Sequence, residues 1–286
     1  MPFAKTYSAQ TKGLQAHIID VEIDISKNTL NAFSIVGLPD KAVEEARDRV
    51  SSAIKNSGYK SPKAKNQKTV ISLAPAHIKK EGALFDLPIS LAYLLTAGDI
   101  SFDSRDKIFF GELSLDGRLR KIKGALPLAI AAKKAGFKEL YLPKDNAEEA
   151  ALIDGLDIFG VENLKQIIGH LNDKKEENNK THRIDIQEKT QIQYNGTKYP
   201  VDFVDISGQE TAKRGLEIAA AGKHNIALYG PPGTGKTMLS KAFAGLLPAF
   251  SKSEVIETTG IHSVAGALEN ALITEPPFRS PHHTSS

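Results

Sequence analysis

The residues Gly230-Pro231-Pro232-Gly233-Thr234-Gly235-Lys236-Thr237 follow the spacing G-x-x-x-x-G-K-T, which is the pattern of a phosphate-cradling loop. Glycine at 230, 233 and 235 permits backbone angles that a Cβ forbids, so successive N–H groups can turn inward around an anion. A helix opening at Lys236 adds unpaired N–H groups and its positive dipole end. Lys236 then offers a cation to β- and γ-phosphate oxygens, and the Thr237 hydroxyl a ligand to Mg²⁺. A plain Gly/Pro-rich turn would need neither the Lys nor the Thr. The chemistry implied is binding of a nucleoside triphosphate, ATP, with Mg²⁺. Such a loop needs a strand before it and a helix after it. The apolar run 226–229 supplies the first expectation, and Met238, Leu239, Ala242, Phe243, Leu246 and Leu247 at helical spacing supply the second.

A chain of 286 residues has room for about two domains. Its hydrophobic share of 41% and charged share of 25% are ordinary for a globular protein. The absence of cysteine excludes disulfides and Cys-ligated zinc. No apolar run approaches the length of a membrane span and no secretory h-region opens the chain, so a cytoplasmic protein is expected. A net charge of +3 is too small to argue for nucleic acid alone.

The elements ahead of the loop mix strands and helices without strict alternation, which is an α+β pattern. Val21, Ile23 and Ile25 alternate with acids as in a half-buried strand, and 33–36 reads as its neighbour. Asp40 caps a helix whose stripe is Val43, Ala46, Val50 and Ile54. A strand over 69–73 and a helix over 86–97 follow, the helix closed by Gly98. Asp116-Gly117 predicts a two-residue hairpin turn between 108–115 and 118–122. Then come a helix over 124–135, a strand over 138–142, a helix near 145–153, a strand at 157–159 and a helix near 162–171. Residues 172–190 are polar with mixed charge, the composition of a flexible connector. The domains expected are therefore 1–172, a linker over 173–200, and 201–286.

Gly111-Glu112-Leu113-Ser114-Leu115-Asp116-Gly117-Arg118, Ala131-Ala132-Lys133-Lys134-Ala135-Gly136-Phe137-Lys138 and Leu142-Pro143 resemble the proteolytic domain of Lon-type proteases over roughly residues 69–143. That chemistry needs a serine nucleophile and a lysine base. Leu84 stands about where the serine would fall, and Leu126 and Leu128 occupy the positions that would carry Lys. The resemblance thus implies a Lon-protease-like (ribosomal-protein-like) fold for 1–172 that is catalytically inactive. Between a helix and a strand, Lys60, Lys63, Lys65 and Lys68 form a basic loop that could touch phosphate backbones. The lack of interleaved aromatic residues favours a solvated loop with a turn at Ser61-Pro62. His77 receives no role.

Val204-Asp205-Ile206-Ser207-Gly208-Gln209, about 20 residues before the loop, looks like the approach segment of AAA+ ATPases. By that resemblance Val204, Ile206 and Gly208 wall the adenine, and 201–286 is the start of an α/β P-loop AAA+ module, with Met238 beside the loop. With 254–259, 261–266 and 277–284, the whole chain resembles magnesium-chelatase-like bacterial ATPases of the ComM/YifB type. That resemblance implies a homo-hexameric ring acting on DNA, in branch migration during natural transformation. Adjacent His282 and His283 make a poor metal site without further ligands. The family's second acidic motif, an apolar strand ending in Asp or Asp-Glu, has no clear counterpart. Only 255–257 and 272–275 end in an acid, Glu257 and Glu275, so the chain reads as an amino-terminal fragment or a truncated product. The competing readings are an ATP-dependent Lon-like protease, a magnesium-chelatase-type motor subunit, and a non-hydrolysing binding module.

Overall fold

Alternating apolar residues build the first sheet of the computed structural model, which describes residues 3–172, 183–194 and 201–278. β1 (Phe3–Lys12) and β2 (Gln15–Lys27) pair antiparallel, and β3 (Ala32–Val36) lies parallel to β4 (Gln67–Ala74), in the order β1-β2-β4-β3. Ile19, Val21, Ile23 and Ile25 of β2 and Ile71 and Leu73 of β4 point into one core. That core is closed by α1 (Lys41–Asn56) and α2 (Asp86–Ala97). The Asp40 side chain accepts from Val43 N at 2.8 Å, as the capping pattern predicts. Gly98 ends α2 in the left-handed region at φ 78°.

The second sheet is parallel, β5 (Lys107–Phe109), β8 (Glu139–Pro143) and β9 (Asp157–Val161), with a hairpin of β6 (Glu112–Leu113) and β7 (Leu119–Arg120) beside it. α3 (Ala125–Lys134), α4 (Lys144–Ala150) and α5 (Leu164–Leu171) complete this part. The run 108–115 does not form one strand. Phe110 N and Gly111 N donate to Tyr141 O and Leu84 O, which splits it into β5 and β6. The hairpin closes through Ser114 N on Arg118 O, giving a three-residue turn instead of the two expected.

The chain divides into two compact units, Met1–Thr190 with Gly260–Ala271, and Gln191–Thr259 with Leu272–Ser286. This differs from the sequence-based boundaries in two places. Residues 183–190, expected within a connector, belong to the first unit: Ile184 is buried, Ile186 bridges Phe159, and Gln187 N donates to Ile158 O at 2.8 Å. Ile184 and Ile186 alternate with Arg183, Asp185 and Gln187, a short strand pattern hidden among charges. Residues 260–271 also belong to the first unit, where the Ser263 hydroxyl donates to the buried Glu149 carboxylate and Gly124 N donates to Ser263 O at 3.1 Å.

The second unit is helical among its described residues: α6 (Glu210–Gly222), α7 (Lys236–Phe243) and α8 (Lys252–Ala265), the last extending past the boundary. Its core is small, Ile206, Leu216, Leu239 and Ala242 with Phe203, Leu228 and Phe243 packed around them. The expected strand over 226–229 is not formed. That stretch has no ladder partner among the described residues, and Tyr229 is fully exposed. Residues 255–257 lie within α8, so Glu257 does not end a strand. The histidine pair at 282 and 283 lies outside the described residues. No helix of the described chain is long and apolar enough to cross a membrane.

Candidate functional site

The phosphate-loop pattern folds into a turn ending at α7. Gly233 and Gly235 take φ of 84° and 81°, and a Cβ built on either meets nothing within 4 Å. Backbone sign, not crowding, therefore demands glycine there. Thr234 between them is locked by its hydroxyl, which donates to Pro231 O at 3.0 Å. The Lys236 ammonium donates to Gly230 O at 2.9 Å, Pro231 O at 2.6 Å and Thr234 Oγ1 at 3.3 Å. These acceptors all belong to the loop, so the cation stays with it and no carboxylate neutralises it among the described residues. α7 begins on Gly235 with no side-chain cap and no acid in its first turn, which leaves its leading N–H groups as open donors. Leu239 anchors the helix in the small core, and Ser240 Oγ donates to Lys236 O at 2.9 Å.

This donor set fits a triphosphate: two positive-φ glycines with open space above them, bare N–H groups, and one lysine. Thr237 is exposed on the first turn, and Met238 is 38% exposed beside it. The approach segment is divided in its roles. Ile206 is buried against Leu239, Val204 is 86% exposed, and Gly208 sits at φ 66° in open space. A short 3₁₀ turn, Phe203–Asp205, holds this segment through reciprocal bonds of Asp202 and Asp205.

At the positions that resemble the Lon dyad, Leu84 is half-buried and Leu126 and Leu128 are fully buried, so these three side chains supply neither a nucleophile nor a base. The adjoining loop is held by Asp86, which receives Arg49 through two bonds of 2.7 and 3.0 Å and Leu113 N at 3.2 Å. Burial outweighs the pull of Arg49 and pushes the Asp86 carboxyl up to about 6. The basic loop turns where expected, with Ser61 capping Pro62–Ala64. Two of its four cations are already paired, Lys63 with Asp48 and Lys65 with Asp99 at 3.7 Å, the latter ammonium also 5.8 Å from the Tyr93 ring. These partners lie far off in sequence and were invisible to a local reading.

Two family models match the chain, "Subunit ChlI of Mg-chelatase" over residues 21–146 and "Magnesium chelatase, subunit ChlI" over residues 202–286. The uncharacterized protein YifB of Escherichia coli is 40% identical over 288 residues, covering all of this chain and 54% of that protein. Competence protein ComM of Haemophilus influenzae is 38% identical over 288 residues, all of this chain and 55% of ComM. Lon protease 2 of Bacillus subtilis is 26% identical over 166 residues, 53% of this chain and 30% of the protease. The chain thus spans about half the length of the ComM and YifB relatives it matches. With both halves matched in one order, the chain belongs to the ComM/YifB-type, magnesium-chelatase-like proteins.

Proposed function

We propose that this chain is the nucleotide-binding portion of a ring ATPase that acts on DNA, promoting branch migration in natural transformation. Homo-hexamer formation belongs to the same reading. The observation that supports it is the loop 230–237, whose cation and open N–H donors have no internal counter-charge among the described residues. Gly230, Pro231, Pro232, Gly233, Thr234 and Gly235 would cradle the phosphates, Lys236 would meet the β/γ-oxygens and Thr237 would ligate Mg²⁺. Val204 and Gly208, backed by Ile206, would wall the adenine with Met238 at the loop's edge. Bound ATP·Mg²⁺ supplies the phosphoryl-transfer free energy that such a motor uses. Met1–Thr190 with Gly260–Ala271 are read as a Lon-like fold without peptidase activity, and Gln191–Thr259 with Leu272–Ser286 as the start of the AAA+ module. The Lon-like front part favours the ComM/YifB reading over a chelatase motor subunit.

The test is a titration of the 286-residue polypeptide with a fluorescent ATP analogue and Mg²⁺. Lys236→Ala should weaken binding by about 1.5–3 kcal/mol, the worth of hydrogen bonds to a charged group. Phosphate release should show no Lys236-dependent turnover, with or without DNA. Hydrolysis needs an acid that holds the metal and orients water, and an arginine finger worth about 10³–10⁵ in rate. Equal affinities for parent and variant would remove the phosphate loop from the account. Turnover abolished by Lys236→Ala would overturn the non-hydrolysing reading and reopen the search for an acid, with Glu257 and Glu275 the first to be tested.

A further inference from the structure

The first unit carries a groove that nucleotide binding does not use. Its walls are the end of β1 (Gln10, Thr11, Lys12), the loop 77–84, and the segment 121–123 after β7. Two clefts of about 680 Å³ and about 420 Å³ meet along it, sharing Gln10, Thr11 and Glu81. Both loops are pinned by side-chain amides. Gln10 donates through Nε2 to Lys79 O at 3.1 Å and accepts Glu81 N on Oε1 at 3.0 Å. Asn146, fully buried, accepts Ile122 N at 2.8 Å and donates to Ile122 O at 2.9 Å. Irregular backbone lacks ladder partners, and these amides provide them, so the walls hold their shape with the groove open.

The same clamps decide what the groove presents. Ile122 is half-buried on the lining, and Lys121 and Lys123 on either side of it are exposed. Glu81 is neutralised by Lys79 at 3.0 Å and Glu112 by Arg120 at 3.3 Å. Lys12, Lys121 and Lys123 form no ion pair among the described residues, and His17 and His77 lie on the same lining. No aromatic ring other than these imidazoles lines either cleft.

We propose that this groove holds a single nucleic-acid strand through its phosphates, an assignment that rests on the reading of the chain as part of a DNA-acting ATPase. Cations outside any ion pair along a walled groove attract a polyanion, Lys121 among them although it also donates to Leu268 O at 3.5 Å and partly offsets the Glu149 charge. The lack of stacking platforms makes the recognition one of backbone and not of base. An extended acidic peptide would seek backbone partners as an added strand does. The peptide groups at 79–81 and at Ile122 are already taken by Gln10 and Asn146, which leaves side-chain cations alone, the arrangement that suits phosphates.

The test is fluorescence anisotropy of a labelled thymidine oligonucleotide with the 286-residue chain across a salt series. The variants are the triple Lys12→Gln, Lys121→Gln, Lys123→Gln and the quadruple Lys60→Gln, Lys63→Gln, Lys65→Gln, Lys68→Gln. Each phosphate contact contributes roughly 0.7 to the salt slope on a single strand, so the triple variant should lose about 2 units of slope and bind on the order of a hundredfold more weakly near roughly 0.1 M salt. The quadruple variant should stay near the parent. Equal binding by parent and triple variant would move the strand elsewhere and leave the DNA reading standing. No binding by the parent would overturn the groove and the DNA reading of this chain together. Tighter binding of polyglutamate than of the oligonucleotide, lost in the triple variant, would overturn the strand and reassign the groove to acidic peptides.

Discussion

Ser263 shows how much one hydroxyl can hold in this chain. Its donor bond satisfies Glu149, a buried carboxylate that also accepts Leu126 N at 2.9 Å and whose pKa is raised by that burial. Ser263→Ala leaves the carboxylate one donor short, and a hydrogen bond to a charged group is worth about 1.5–3 kcal/mol. The melting temperature should fall by several degrees, since about 1 kcal/mol corresponds to roughly 2–4 °C in a chain of this order of size. An unchanged melt would mean that residues 260–271 are not held by this bond. Nothing in the local sequence marks Ser263 or Glu149, because a pair 114 residues apart has no periodic signature. Lys236 is different: the groups that hold its ammonium lie within six residues of it, so the local sequence sets the shape of this loop. The lysines at 63 and 65 were readable as charges but not as the paired charges they are.

At the scale of elements, legibility followed apolar periodicity. α1, α2 and β4 announce themselves through buried stripes and caps. β1 does not, because its inward residues include Thr6 and Ser8, whose hydroxyls donate to Pro88 O and Phe109 O at 3.0 Å each. The segment 183–190 was likewise missed, and it is tied down by His170, whose Nδ1 accepts Ile184 N at 3.0 Å. His170 also packs on Tyr141 and Phe159. Burial lowers its pKa against the opposing pull of Glu139, with Arg183 and Lys107 adding to the depression. The unfolded chain therefore takes up this proton before the folded chain does. The stability His170 contributes is present above its ordinary value near 6.5 and is lost as pH falls toward the depressed folded value. Asp86 works the other way: its carboxyl, pushed up to about 6, favours the folded state at low pH and less so as pH rises. His170→Asn, which keeps an acceptor for Ile184 N, isolates the first effect. Melting measured from pH 7.5 down to 5.5 should fall less steeply for the variant than for the parent. Parallel curves would remove His170 from the acid sensitivity of this region.

Across the whole molecule, the two units differ in how far their own residues explain them. The first has two sheets covered by helices and a core running from Ile19 to Ile184. In the second, four buried residues centre the core, and the apolar stretch 226–229 stays out of any ladder among the described residues. The apolar pattern at 226–229 predicts a strand that the structure does not form, because a strand needs a partner and none lies beside it among the described residues. What survives locally is the loop, because its shape is set by glycine dihedrals and its own hydrogen bonds and not by a sheet. On the proposed reading these backbone N–H groups close on phosphate, and amide hydrogen exchange reads that event residue by residue. With Mg²⁺·ATP added to the 286-residue chain, exchange at 233–238 should slow markedly, and Lys236→Ala should abolish the slowing. Unchanged exchange at 233–238 in the presence of saturating nucleotide would contradict the account.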